Sequence, residues 1–399
     1  MKGSLHMKKV IGVSVLSAIL VLGQPLATFA NTTNSGIINF EDIGPLITEQ
    51  NLQVAINQNN REDSNVGAGK LRKDIRDINR RLDKINDEKH GLSMPDDASL
   101  IIALNTEKSA LLDQLKTLER QLEDMPTSVD STDTSSTMSD NTQIRTAEGA
   151  FITLNALKLA SSDLSMSITN LQNQLSTMQL REKLGVVSHT EVDNLNTMLM
   201  NMQTQLVSNQ LQQESNVRQL RDLLNDQDST LQIGSVPMTD ENFTVADKDA
   251  DLKQALENSY TIKALDDKIV LLEDNLARAE KDNGLSSTEY KTAKYALDNA
   301  NLTLAQQKNK LNTDYSSILD DIAKKQSNLQ LEEQKLADKK VALSEAQIKM
   351  NLGMITQLDL DSATTDYQTQ EDTVKTDQIQ LFSSINSYNW FLKGMPWTS

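Results

Sequence analysis

The sequence predicts an all-α chain, a two-fold repeat of long coiled-coil helical hairpins with no membrane β-barrel. Three observations predict it. Glycine (14), proline (6) and aromatic residues (4%) are scarce, which disfavours sandwiches, barrels and thick α/β cores. Apolar residues recur in steps of three and four over most of the 399 residues, the signature of amphipathic helices. Runs of alternating hydrophobicity long enough for membrane strands, ~9–11 residues each, are missing.

The N-terminus reads as an address. Lys8-Lys9 precede the apolar run Val10–Leu22, and Thr28 and Ala30 are small residues before a cleavage point. This is the pattern of a secretory signal peptide over residues 1–30, too short in its apolar part for a spanning helix of ~20 residues. A first helical repeat is expected over 31–228. Its apolar positions Leu71, Ile75, Ile78, Leu82 and Ile85, then Leu104, Leu111, Leu115, Leu118 and Leu122, predict an antiparallel hairpin inserted at 67–124, turning at His90–Pro95. Residues 126–142 contain ten Ser/Thr and three Asp and no apolar period, so a mobile loop is expected there. Helical rhythm resumes at Leu164, Ile168, Leu171, Leu175 and Met178, and again at Val192, Leu195, Leu199, Met202 and Leu206. Gly234 and Pro237 place an extended linker at 229–248. The second repeat, 249–394, opens with a helix from about Asp251 to Lys281. A very long helix follows, seamed by Leu297, Leu304, Leu311, Ile318, Ile322, Leu329, Leu336 and Leu343. A last helix carries Leu381, Ile385, Tyr388 and Leu392, with Trp390 and Trp397 as terminal packing residues and 395–399 as a tail.

Two helix breaks resemble each other. Leu184-Gly185-Val186-Val187-Ser188 runs on to Glu191 and Asp193, and Leu352-Gly353-Met354-Ile355-Thr356 runs on to Asp359 and Asp361, at a constant offset of 168. Each reads as a tight reversal. Glycine takes the left-handed position that ends one helix, Ser188 or Thr356 caps the next, and Glu191 or Asp359 completes a capping box. The segments Asp42–Ala55 and Asp249–Lys263 match at an offset near 208. The chain is thus an internal duplication whose first copy carries about 40 extra residues, expected within 71–142.

Composition excludes several functions. Thirty-nine basic against 56 acidic residues leave a net charge of −17, which repels nucleic acid. Without cysteine, and with only three scattered histidines, no disulfide, thiolate nucleophile or histidine metal cluster forms. Val66-Gly67-Ala68-Gly69-Lys70 lacks the earlier glycine and the following Ser/Thr of a phosphate loop. Asp359, Asp361 and Asp366 lack the turn glycine of a calcium loop. No cofactor and no catalytic residue is expected.

With two glycine-centred tips, two matching repeat starts (Ala255-Leu256-Glu257-Asn258 in the second) and a closing Leu392-Lys393-Gly394, the sequence resembles the TolC-like outer-membrane efflux family over roughly 200–230 residues. That resemblance implies a homotrimer whose hairpins form a hollow α-barrel. It further implies docking of the tips Leu184, Gly185, Val186, Leu352, Gly353 and Met354 on an adaptor (membrane fusion) protein served by an inner-membrane pump, of ABC type. The family's aperture acid falls on Asp359, its second aperture acid on Ser362, and a latch arginine of some members on Ile355. The family's barrel strands follow the first helix of each half. Here that place holds the 71–124 hairpin in one half and only Asp282–Ser287 in the other. The expected setting is therefore the cell envelope, without a segment that spans a bilayer directly, in the wall or extracytoplasmic space. The alternative is an exported coiled-coil structural or wall-associated protein without transport activity.

Overall fold

A computed structural model describes residues 37–226, 231–237 and 243–397; the signal peptide expected at 1–30 lies outside them. The order is β1 (Ile37–Ile38), a 3-10 turn at Phe40–Asp42, α1 (Ile43–Gln50), α2 (Leu52–Lys89), α3 (Ala98–Lys183), α4 (His189–Leu223), β2 (Gln232–Ile233), α5 (Lys248–Asn258), α6 (Tyr260–Asn283), α7 (Thr288–Asn351) and α8 (Gln357–Leu392). Among the described residues β1 and β2 are the only strands, paired in parallel over two residues each. None of the helices there is long and apolar enough to cross a membrane. The fold is all-α, and α1–α4 correspond in order to α5–α8.

Equivalent polar residues break the front helix of each repeat. Asn51 is extended (φ −71°, ψ 127°). Its Oδ1 accepts from Gln53 N and Val54 N at 2.9 and 3.2 Å, and its Nδ2 donates to Leu223 O at 2.7 Å. One buried side chain thus caps the start of α2 and satisfies an orphan carbonyl at the end of α4. In the second repeat two residues share that work. Ser259 Oγ accepts from Ile262 N at 3.3 Å, and Asn258 Nδ2 donates to Leu392 O at 2.8 Å. The single helix expected from Asp251 to Lys281 is therefore two, α5 and α6.

Each repeat builds its core beside this break. Ile43, Ile47, Ala147, Phe151, Leu154, Leu220 and Leu224 fill the first. Ala255, Ile262, Tyr315, Ile318, Ile322, Leu381, Tyr388 and Phe391 fill the second. Phe40 and Phe382 meet edge to face at 4.8 Å between them. On one side of the cores the helices pack in the order α2–α3–α6–α7, on the other α4–α3–α8–α7. Only α3 and α7 run through both layers.

Two expectations are corrected. Residues 126–142 are not a loop but the middle of α3, an unbroken helix of 86 residues. An apolar stripe is absent because the contact with α2 is polar. Arg61 Nε bonds Asp133 Oδ1 at 3.0 Å, and Arg61 Nη2 bonds Thr137 Oγ1 and Asp140 Oδ2 at 3.1 and 2.7 Å. Asn57 Nδ2 reaches Asp140 Oδ1 at 2.6 Å. The hydroxyls of Thr132, Thr142 and Thr146 turn back on carbonyls four residues earlier, and buried Ser136 lets the helices close up.

The antiparallel hairpin expected at 67–124 is present and turns where expected, but as the prolonged ends of α2 and α3 rather than as a separate unit. The offset between equivalent breaks falls from 208 (Asn51 to Ser259) to 168 (Gly185 to Gly353). The 40 surplus residues lengthen α2, α3 and the turn between them, which spans residues 90–97. The end of α6 meets α3 where Asp282 pairs with Lys116 (3.0 Å) and Arg120. Beyond that point α2 and α3 continue for about 27 Å, zipped by Ile78, Leu82, Ile85 and Leu104 and by Arg81 Nε on Glu107 at 2.7 Å.

The expected linker carries β2 and lies over both cores; Gln326 Nε2 holds Phe243 O at 3.0 Å. The expected tail is fastened too, since Met395 N bonds Trp390 O and Arg145 Nη1 bonds Pro396 O at 2.7 Å. Trp390 donates from Nε1 to buried Glu148 at 2.6 Å, so it joins the repeats as well as packing.

Gly394 sits at φ +93°, where a Cβ would lie 2.1 Å from Asn258 O. Gly394→Ala is expected to cost about 3 kcal/mol in urea unfolding, from left-handed strain plus a backbone clash. Gly69→Ala, inside α2 with open space around it, is expected to gain about 0.5–1 kcal/mol.

Candidate functional site

The two hairpin tips lie at one end of the molecule. Asn170 Nδ2 donates to Thr365 Oγ1 at 2.6 Å, 15 residues before Gly185 and 12 after Gly353, so antiparallel α3 and α8 carry their tips in the same direction.

Both tips have one backbone design. Gly185 and Gly353 take φ +73° and +71°. Gly185 N bonds Glu182 O and Val186 N bonds Arg181 O at 2.8 and 2.9 Å; Gly353 N bonds Met350 O and Met354 N bonds Lys349 O, both at 2.9 Å. This paired 5→2 and 6→1 pattern is a Schellman ending, which glycine adopts without a Cβ penalty. The next helix then opens on a reciprocal cap. Ser188 Oγ accepts from Glu191 N at 3.4 Å while Glu191 Oε2 accepts from Ser188 N at 2.8 Å. Thr356 Oγ1 accepts from Asp359 N at 3.3 Å while Asp359 Oδ2 accepts from Thr356 N at 2.9 Å. Backbone and hydroxyl donors of Ser188 hold Glu191 below the usual carboxylate range, and those of Thr356, the hydroxyl first, do the same for Asp359. With no residue left over for the reversal, Leu184, Val186, Leu352 and Met354 stand about 70% exposed. Four large apolar side chains thus stand exposed side by side on two glycine-centred turns.

The tips differ in their charges. His189 Nδ1 lies 2.7 Å from Glu182 Oε1 and its Nε2 3.4 Å from Asp193 Oδ2, and the Glu182 contact foremost raises the imidazole above its ordinary value. The second tip has Gln357 there, donating to Asp361 Oδ1 at 2.8 Å. Asp359, expected as cap and as aperture acid, has Oδ2 engaged by Thr356. Asp361 and Asp366 are taken up by Gln357 and Lys339, and among the described residues no group of three metal-ligating side chains exists.

One tip residue escaped the sequence reading. Exposed Leu358 lines, with Thr177, Met178 and Arg181 of α3 and Leu195 and Met198 of α4, an open groove of about 390 Å³ between the two tips. Its signal was a leucine in the first turn of α8 where the first tip has Thr190.

No protein-family profile matches the chain, and no curated protein matches it. Solved structures do. The Campylobacter jejuni CmeC outer membrane channel superposes with a TM-score of 0.58 at 10% identity, over 89% of this chain and 85% of the channel. A membrane protein from Pseudomonas aeruginosa gives 0.56 at 10% identity over 90% of both chains. The outer-membrane channel OprN gives 0.52 at 12% identity over 89% of this chain and 90% of its own. The chain has the fold of these TolC-like outer-membrane channels, with no closed barrel among the described residues.

Ser188→Ala and Thr356→Ala are each expected to cost about 1 kcal/mol. A depressed carboxylate contributes above its unfolded pKa and is lost as pH falls through the folded one. Carbon-13 titration should therefore place the Glu191 and Asp359 midpoints below those of ordinary Glu and Asp side chains, and each alanine variant should move its own midpoint upward.

Proposed function

We propose that this chain is a TolC-like export duct of the cell envelope, a homotrimeric α-helical channel docking through its tips onto the adaptor of an efflux or secretion pump of ABC type. The observation that carries this reading is the pair of matched, exposed apolar tips at one end of a channel-type fold. It gives the chain no enzymatic role.

The duplication supports the ring. Within the chain, α3 of the first repeat packs on α6 and α8 of the second. The same relation applied once more lays α7 of one copy against α2 and α4 of the next. It carries Asn170/Thr365 to Asp338/Thr197, Asp163/Asp372 to Leu331/Thr204, and Asn141/Tyr260 to Asn309/Leu52. The faces so paired are those left bare in the monomer. Leu331, Val341 and Ile348 stand exposed along one side of α7, and Met200, Val207 and Leu211 along one side of α4. Such a head-to-tail contact closes into a ring when its rotation allows. With helices where family members place membrane strands, the envelope site is read as the wall or extracytoplasmic space, not a bilayer.

The secreted protein should have the native mass of a trimer, and oxidation of the Leu331→Cys, Thr204→Cys double variant should link neighbouring copies. Leu184→Asp with Met354→Asp should preserve the trimer and abolish capture of a candidate adaptor protein. A monomer at micromolar concentration, alone and with adaptor, would leave the structural rod standing in place of the duct.

A further inference from the structure

Each seam joining the two repeats holds a half-buried aspartate with one oxygen buried and unpaired. On the α3–α8 seam, Asp163 meets buried Asp372. Asp163 Oδ1 is buried without a hydrogen-bond partner, and so is Asp267 Oδ2 of α6, which lies in the field of exposed Asp130 of α3. Among the described residues only one other buried side-chain atom, Tyr315 OH, has no hydrogen-bond partner in the same sense. A charged carboxylate has no reason to sit there; a protonated one does.

Neighbouring charges do not cancel the pairs. Lys375 Nζ lies 3.0 Å from Asp372 Oδ1 and 3.6 Å from Glu371 Oε2, one cation among three acids. On α7, Glu332 and Lys335 pair with each other at 2.7 Å. No ionisable side chain stands on α4 between Asp193 and Glu214. Beside Asp267, Asp266 of α6 adds to the field, while Lys263 of the same helix lies over the Tyr260 ring and Lys268 is exposed; α7 has nothing ionisable between Asp298 and Lys308, and Arg61 of α2 is held by Asp133 and Asp140.

We propose that protons clamp the two repeats of this chain together: with Asp163 and Asp267 protonated α3 is held on α8 and α6, and losing those protons parts the seam. Burial first, then the contact with Asp372, pushes Asp163 up to about 7; burial, then Asp130, raises Asp267. An acid whose pKa is raised in the closed form holds the seam fully below its free value, about 3.9 for Asp, and loses that hold as pH rises through the closed-form value. For the Asp163 proton the ratio of parted to closed seam grows about tenfold per pH unit between those limits and levels off above about pH 7; Asp267 acts in the same direction. The device needs no ring. If a ring forms, the mapped contacts between copies, Leu331/Thr204 and Asp298/Asn59, lack a second carboxyl, so pH acts on the seam inside each chain.

The test uses the full secreted chain with spin labels at Asn173→Cys and Ser362→Cys, exposed positions on α3 and α8. Pulsed EPR is recorded from pH 4.5 to 8.5, with native mass followed in parallel so that loss of assembly is read separately. The distance distribution should shift to longer values up to about pH 7 and then stop. Asp163→Asn with Asp267→Asn should keep the short distance throughout and melt above the parent chain at pH 8.5, the gap closing towards pH 4. Should that variant fold poorly, Asp372→Asn removes the second cause of the Asp163 shift and should move the Asp163 midpoint, read by carbon-13, downward with a matching part of the distance change; an unmoved midpoint overturns the pairing. A distance constant across the range, or a carbon-13 midpoint near 4 for Asp163, overturns the proposal.

Discussion

The whole structure depends on lateral cover for helices too long to stand alone. A helix of 86 residues gains little from propensity, since isolated helices in water are marginal and most helical stability in proteins comes from packing of one face. Helix α3 therefore survives only where something lies against each stretch of it. α2 covers its first half, α6 the stretch near Arg120, α4 and α8 the second half. α7 is covered by α6 and then α8 in the same way. The tips follow from this need. A hairpin that must bring α4 back onto α3 without losing a turn of contact requires an abrupt reversal, and a glycine at positive φ followed by a reciprocal cap supplies one in five residues.

That logic explains what the sequence made legible. The tips could be read because each of their residue types has one local job: Gly185 and Gly353 for a left-handed ending, Ser188 and Thr356 for a cap, Glu191 and Asp359 for the return bond. The duplication followed from their constant spacing. The stretch 126–142 could not be read that way. Periodicity registers apolar burial, whereas here Arg61 and Asn57, some 70–80 residues earlier, supply the cover through Asp133, Thr137 and Asp140. A serine- and threonine-rich run looks solvated until those partners are placed beside it. The breaks at Asn51 and Ser259 were hidden for a related reason, since the carbonyls that Asn51 and Asn258 satisfy belong to α4 and α8, at Leu223 and Leu392.

The 40 surplus residues bear on where such a chain can stand. Strands that line a bilayer need a closed set of backbone partners, and the described residues offer two strands of two residues. The surplus instead extends α2 and α3 past the α6–α7 turn as a two-helix projection. Its interior is narrow and its flanks are charged: Arg81 bridges Glu107 and Glu88, and Lys89 reaches Asn105. A surface of that kind is stable in water. At the far end the molecule exposes leucine, valine and methionine on rigid turns. The projection exposes apolar side chains too, Met94 and Ile102 among them, but only the tips set theirs on paired glycine turns.

Duplication also lets two similar seams carry different loads. The seam inside the chain is tethered, which corresponds to an effective concentration in the millimolar range for short connections. Separate copies at micromolar concentration lack that advantage, worth about 4 kcal/mol for a thousandfold difference. The inner seam can therefore tolerate contacts of small net benefit, such as Asn170 on Thr365, Asn141 on Tyr260 and Trp390 on Glu148, and even the unsatisfied oxygens of Asp163 and Asp267. The faces that map to a contact between copies have no tether to lean on, and they carry Leu331, Val341 and Ile348 opposite Met200, Val207 and Leu211. Apolar burial at about 25 cal/mol per Å² is the term that can offset an association cost. In the proposed ring, polar residues thus gather where the chain already holds itself together, and apolar ones on the faces that would meet a second copy.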